Sequence, residues 1–94
     1  MNDELNHKEI EMDGMNIKIH NIEKKLKRII PTANKIVTRV TETSNSLYRS
    51  FISITIPARG ELVSIKYDSC HKRSLDKAHL AIRSQINRKK ARHR

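Results

Sequence analysis

These 94 residues contain one cysteine, two prolines, two glycines, three aromatic rings and no tryptophan. Each scarcity excludes something. A lone Cys70 excludes a disulfide scaffold. So little proline and glycine excludes collagen-like and linker-like chains. With three aromatics, any core must be aliphatic. No apolar run approaches the roughly 20 residues that span a bilayer, and the first 13 residues carry no signal-peptide apolar stretch. These absences point to a soluble, cytoplasmic protein in a reducing compartment. The length suits one small domain, which can bury about 60–65% of the surface its unfolded chain exposes.

Positive charge is abundant. Lys and Arg number 20 against 10 Asp and Glu, a formal net charge of +10. The charge is also segregated. Five of the ten acids (Asp3, Glu4, Glu9, Glu11, Asp13) lie in residues 1–13 beside a single base, Lys8, leaving 19 bases and 5 acids, or +14, for residues 14–94. Such a field attracts polyanions, because each neutralised phosphate releases a counterion. Nucleic acid is the first expectation, ahead of an anionic membrane surface, an acidic protein or a merely soluble surface.

Residues 1–7 read as a disordered acidic leader, and residues 8–94 as a single domain with a basic C-terminal helix and tail. K-E-I-E-M (8–12) alternates as a short strand. Asp13-Gly14 is a turn signal, and N-I-K-I (16–19) continues extended. Asn21, or else His20, then caps a short helix over 22–30, where Ile22, Leu26, Ile29 and Ile30 form one stripe. Pro31 ends it. Residues 35–43 are β-branched and predict a strand. Residues 47–56 and 61–68 alternate around the Pro57-Ala58-Arg59-Gly60 turn, in which Gly60 is free to take positive φ. On that alternation the buried sheet face is Ile52, Ile54, Ile56, Val63 and Ile65. Leu75, Ala78, Ile82 and Ile86 stripe a last helix over 74–90 capped by Ser74. The order is β-α-β-β-β-α. The expected fold is a two-layer α+β domain, with a four-stranded sheet and two helices on one face. The first two strands are parallel through a right-handed crossover.

Four stretches, taken together, resemble the ribosome hibernation-promoting factor family, whose members are also called ribosome-associated inhibitor or protein Y. I-E-M-D-G-M-N-I-K-I (10–19) resembles the family's opening strand, turn and helix entry, and K-I-V-T-R-V-T (35–41) its second strand. I-S-I-T-I-P-A-R-G-E-L-V-S-I (52–65) resembles the third and fourth strands. S-L-D-K-A-H-L-A-I-R-S-Q-I-N-R-K-K (74–90) resembles the last helix. The chain departs at Ser74, Asp76, His79 and Gln85, where the family usually has Asp, Tyr, Ile and Lys, and its first helix reads as shorter.

The resemblance implies a translation inhibitor that binds the small ribosomal subunit between head and body, blocks the messenger and transfer RNA path and silences idle ribosomes. Ending soon after the last helix, the chain resembles the family's short members. By position, the family's rRNA-contacting arginine falls on Arg88 and a further basic position on Arg92. The first-helix bases Lys24, Lys25, Lys27 and Arg28 match loosely.

The residues give physical roles that stand beside this. Lys24, Lys25, Lys27, Arg28, Arg83, Arg88, Lys89 and Arg92 are candidate phosphate contacts; cations at a helix end also suit its dipole. Lys72 and Arg73 oppose the dipole at the start of the last helix, which suggests use. Arg39 and Arg49 fall on the open sheet face as RNA contacts or ordinary solvated residues. Tyr48 and Phe51 can stack a base, with core packing the stronger expectation for Phe51.

Enzyme motifs are missing. Cys70-His71 lacks further ligands for a metal, and adjacent strand residues point oppositely, which opposes a thiol–imidazole pair. An RNA-cleaving pair of His71 and His79 is the one catalytic alternative. The expectation is a non-enzyme with no cofactor, no metal, no membrane contact and no small-molecule substrate, monomeric when free. A double-stranded-RNA-binding module, α-β-β-β-α, is the rival reading, faintly supported by K-R-S-L-D-K-A (72–78).

Overall fold

The computed structural model describes residues 15–92, with side chains to Arg88. Its elements are α1 (Met15–Ile29), β1 (Lys35–Glu42), β2 (Tyr48–Ile56), β3 (Gly60–Asp68) and α2 (His71–Arg92). The fold is α+β, in the order α-β-β-β-α. The antiparallel sheet runs β1-β2-β3, and the helices pack on it. The expected strand over residues 8–12 lies outside the described residues.

The helix α1 begins earlier than the sequence reading placed it. Residues 16–19 are helical, not extended, and Asn21 lies inside α1 rather than capping it. Met15, Ile19, Ile22, Leu26 and Ile29 form one continuous stripe, with Met15 and Leu26 fully buried. Ile17, read as pointing inward with Ile19, is 67% exposed. Alternation across four residues cannot separate a strand from a helix, and burial of Met15 decides it. At the other end, Lys27 Nζ donates to the carbonyls of Pro31 and Ala33, satisfying backbone acceptors past the helix end.

The strands match the reading closely, and both turns have physical causes. Thr43 N–H and Oγ1 both donate to the Leu47 carbonyl, at 2.7 and 3.0 Å, while Ser46 takes φ 63°. In the second turn, Arg59 N–H donates to the Ile56 carbonyl at 3.0 Å. Gly60 takes φ 99° as anticipated, but Ala58 also adopts the left-handed region, at φ 66°, where a Cβ costs energy.

The register of β3 is opposite to the expected one. Leu62 pairs with Ile54 and Ser64 with Ile52. Leu62 and Ser64 therefore face the helices, while Val63, Ile65 and Tyr67 face outward at 39%, 40% and 51% exposure. Both sets of β3 carry apolar residues, so alternation alone assigns no inside. The helix α2 covers β2 and β3 through fully buried Leu75, Ala78, Ile82 and near-buried Ile86. It starts at His71, so Ser74 is not its cap. Ser74 is buried inside the first turns, where its hydroxyl donates back to the His71 carbonyl at 2.9 Å.

Candidate nucleic-acid interface

The cationic side chains are organised by the two helices. Near the start of each, Lys18 Nζ meets Asp76 Oδ1 at 2.7 Å. Farther along, Lys18, Asn21 and Lys25 of α1 line a cleft of about 340 Å³ with Asp76 and His79 of α2. The helices thus lie side by side in the same sense. At about 1.5 Å per residue, the 22 residues of α2 form a ridge of roughly 33 Å.

Lys24, Lys25, Lys27, Arg28, Lys72, Arg73, Arg83 and Arg88 are all exposed. They do not form one uniform set. Arg73 Nε donates to Asp68 Oδ1 at 3.1 Å, and Lys27 is engaged by the carbonyls after α1. Among the described residues, Lys24, Lys25, Arg28, Lys72, Arg83 and Arg88 make no ion pair. The side chains of Lys89 and Arg92 lie outside the described part. Lys24 and Lys27 also line a second cleft, about 290 Å³, with His20, Glu23 and Lys35 at the α1–β1 boundary. Lys18 and His20 were missed because 16–19 read as extended, and Lys35 because it was read only as the start of a strand, which it is. Following the helical period back to Met15 recovers the first two.

His79 sits between the helices, and burial lowers its pKa below the ordinary 6.5, with Arg83 and Lys25 adding to the effect. Its Nε2 is buried without a hydrogen-bond partner.

The entry to α2 is built on one carboxylate. Asp68 Oδ1 accepts from Cys70 N–H at 2.9 Å, and Oδ2 pairs with Lys77 at 2.7 Å. The Lys77 ammonium and the Cys70 amide hold the Asp68 pKa at about 2, and Arg73 contributes. Cys70 serves where Ser74 was expected. The backbone amides of Arg73 and Lys72 at the helix start favour its thiolate and lower the thiol pKa from its ordinary 9.0. Lys72 and Arg73 thus sit within the first turn rather than before a cap, and Asp68 offsets the unfavourable position of Arg73. Cys70 and His71 lie at this helix entry, not on a strand. His71 instead packs edge-on against Tyr48, ring centroids 5.5 Å apart. No group of three or more His, Cys, Asp or Glu comes together among the described residues.

Tyr48 lies against the core, on the helix side of the sheet. Phe51 departs from its expected core position. It lies on the open face, with the Arg49 guanidinium 5.7 Å from its ring centroid.

No family description, curated protein or solved structure matches this chain. No helix among the described residues is long and apolar enough to cross a membrane.

Proposed function

We propose that this chain is a non-enzymatic translation inhibitor that binds the RNA of the small ribosomal subunit through its helix face and blocks the messenger and transfer RNA path. The observation that carries this reading is the pair of helices running side by side, with Lys24, Lys25, Arg28, Lys72, Arg83 and Arg88 exposed and unpaired among the described residues. A ridge of this length suits a folded polyanion better than a small anion. Phosphate contacts supply affinity and salt dependence, and the shape of the RNA supplies the site.

The finer fold belongs to the same proposal. β1 is an edge strand of the sheet, and its outer backbone groups offer a place for another strand. Residues 8–12 fit there as a fourth strand, parallel to β1, with α1 as the right-handed crossover.

A double-stranded-RNA-binding module is the second reading. One observation favours it, because the described elements are in its α-β-β-β-α order. Such modules read the shape of A-form RNA through phosphates and 2′-hydroxyls.

Co-sedimentation with purified small ribosomal subunits at physiological salt, with an RNA duplex as competitor, separates the two. Stoichiometric binding that resists the duplex and weakens in Arg83→Glu/Arg88→Glu is the expected result. Binding that the duplex strips away overturns the ribosomal reading in favour of the module. Removing residues 1–13 tests the fourth strand, and unchanged cooperativity and stability would exclude it.

A further inference from the structure

The sheet has a second surface that the ribosomal reading does not use. Strand register assembles it in rows on the side away from the helices. Val37, Ser53 and Val63 form one row. Arg39, Phe51 and Ile65 form the next, and Thr41, Arg49 and Tyr67 the third. Val63, Ile65 and Tyr67 are exposed, which is unusual for three such residues on one strand. The row of Lys35, Thr55 and Glu61 closes the end away from Tyr67. Among the described residues Glu61 is therefore the one acid of this face, and it is remote from the aromatic end.

We propose that this open face binds single-stranded RNA, with unpaired bases stacking on the Tyr67 ring and the Arg49 guanidinium and with Arg39 holding a backbone phosphate. The chemistry of the face selects that occupant. Tyr67 offers a flat, half-exposed ring. Arg49 lies over Phe51, so its guanidinium is supported from beneath and presents an outer plane of the kind on which bases stack. Tyr67 and Arg49 stand opposite each other on neighbouring strands, about 5 Å apart, and Arg39 lies in the next row, about 7 Å along the strand, where a backbone phosphate flanking the stacked bases can reach it. Val63 and Ile65 extend the apolar floor, and Arg39 and Arg49 match the charge of the phosphates. A second copy of the chain suits the face poorly, because face-to-face docking would crowd Arg39 and Arg49 of both copies into an apolar contact. The inference does not rest on the ribosomal reading, since the helix cations lie on the opposite side of the sheet.

The test is fluorescence anisotropy with a labelled oligouridylate and, separately, a blunt RNA duplex, at physiological salt. Tyr67→Ala should weaken oligouridylate binding at least about fivefold, and Arg49→Ala similarly, given the usual worth of one stacked base. Tyr67→Phe should retain binding, and duplex affinity should stay unchanged in all three. Tyr67 is half exposed, so its truncation spares the core. Because the chain lacks tryptophan, quenching of tyrosine emission on binding, lost in Tyr67→Ala, is a direct signature of stacking. Absence of oligouridylate binding overturns the proposal, as does binding indifferent to Tyr67 and Arg49. Concentration-dependent dimerisation abolished by Tyr67→Ala would assign the face to a second copy and also overturn it. Arg83→Glu/Arg88→Glu should leave the Tyr67-dependent component intact, so this proposal and the ribosomal one can fail separately.

Discussion

Ser50 of β2 and Ser74 of α2 place their hydroxyl oxygens 2.6 Å apart with neither side chain exposed. Each hydroxyl has one proton to donate. Ser74 gives its proton to the His71 carbonyl, so Ser50 donates and Ser74 accepts. This short polar chain pins the first turns of α2 to the middle of the sheet.

The direction of donation makes the two serines unequal. Ser74→Ala removes the acceptor of a buried hydroxyl and should destabilise by about 1–3 kcal/mol. Ser50→Ala leaves Ser74 bonded to His71 and should cost less. The double variant should recover part of the Ser74→Ala loss. Urea unfolding of all three, read as a double-mutant cycle, checks this. Equal single losses would contradict the assigned direction.

The carboxylate of Asp68 predicts an acid limb of stability. Its pKa falls from the ordinary 3.8 to about 2 because Lys77 and the Cys70 amide favour the charged form. The folded state therefore holds fewer protons at this site than the unfolded state. The stabilisation is complete above about pH 4 and is lost as pH drops toward 2. Asp68→Asn should melt lower than the parent at neutral pH, and the two melting curves should converge under acid. A constant difference across that range would exclude the linkage.

His79 predicts a limb at milder pH. It is pressed upon by Arg83 and Lys25, and more weakly by Lys18, while Asp76 alone opposes them. Burial comes first among the causes, and the orphaned Nε2 agrees with it, since a protonated ring would need a partner there. The folded pKa is lowered, so the unfolded state binds more protons below about pH 6.5, and stability falls as pH falls through that region. His79→Leu should flatten this dependence and match or exceed parental stability at pH 5–6. Thermal melts between roughly pH 7 and pH 5 decide it.

How far the sequence carried differs from element to element. The strands and their turns were legible because β-branched runs and the Pro–Gly turn are local signals. The helix α2 was legible from Leu75, Ala78, Ile82 and Ile86. What failed was non-local. Whether 16–19 coil or extend depends on Met15 finding a pocket against the sheet. Which side of β3 is inside depends on pairing Leu62 with Ile54. Ser74 looked like a cap because serine favours that position, yet the bond to Ser50, 24 residues away, drew it into the core. The cations were legible as a list, but their ion pairs were not. Asp68 and Arg73 are only five residues apart, but their pair follows from α2 starting at His71 rather than after Ser74, with Asp68 turning the chain through Cys70 N–H.

Those ion pairs rank the cations. Arg83 and Arg88 are exposed and unpaired among the described residues, whereas Arg73 is held by Asp68. Lys27 is bonded to two carbonyls past α1. An unpaired cation can meet a phosphate without first giving up a partner. Arg83→Ala and Arg88→Ala should each lower the slope of log affinity against log salt by about 1 on a structured RNA. Arg73→Ala should change it less. Lys27→Ala should act mainly on stability, because it strips the donor from the end of α1. The measurement is RNA affinity across a salt series, paired with urea unfolding for Lys27→Ala. If Arg73→Ala changed the slope as much as Arg83→Ala, Asp68 would not be restraining that guanidinium, and the interface would extend to the entry of α2.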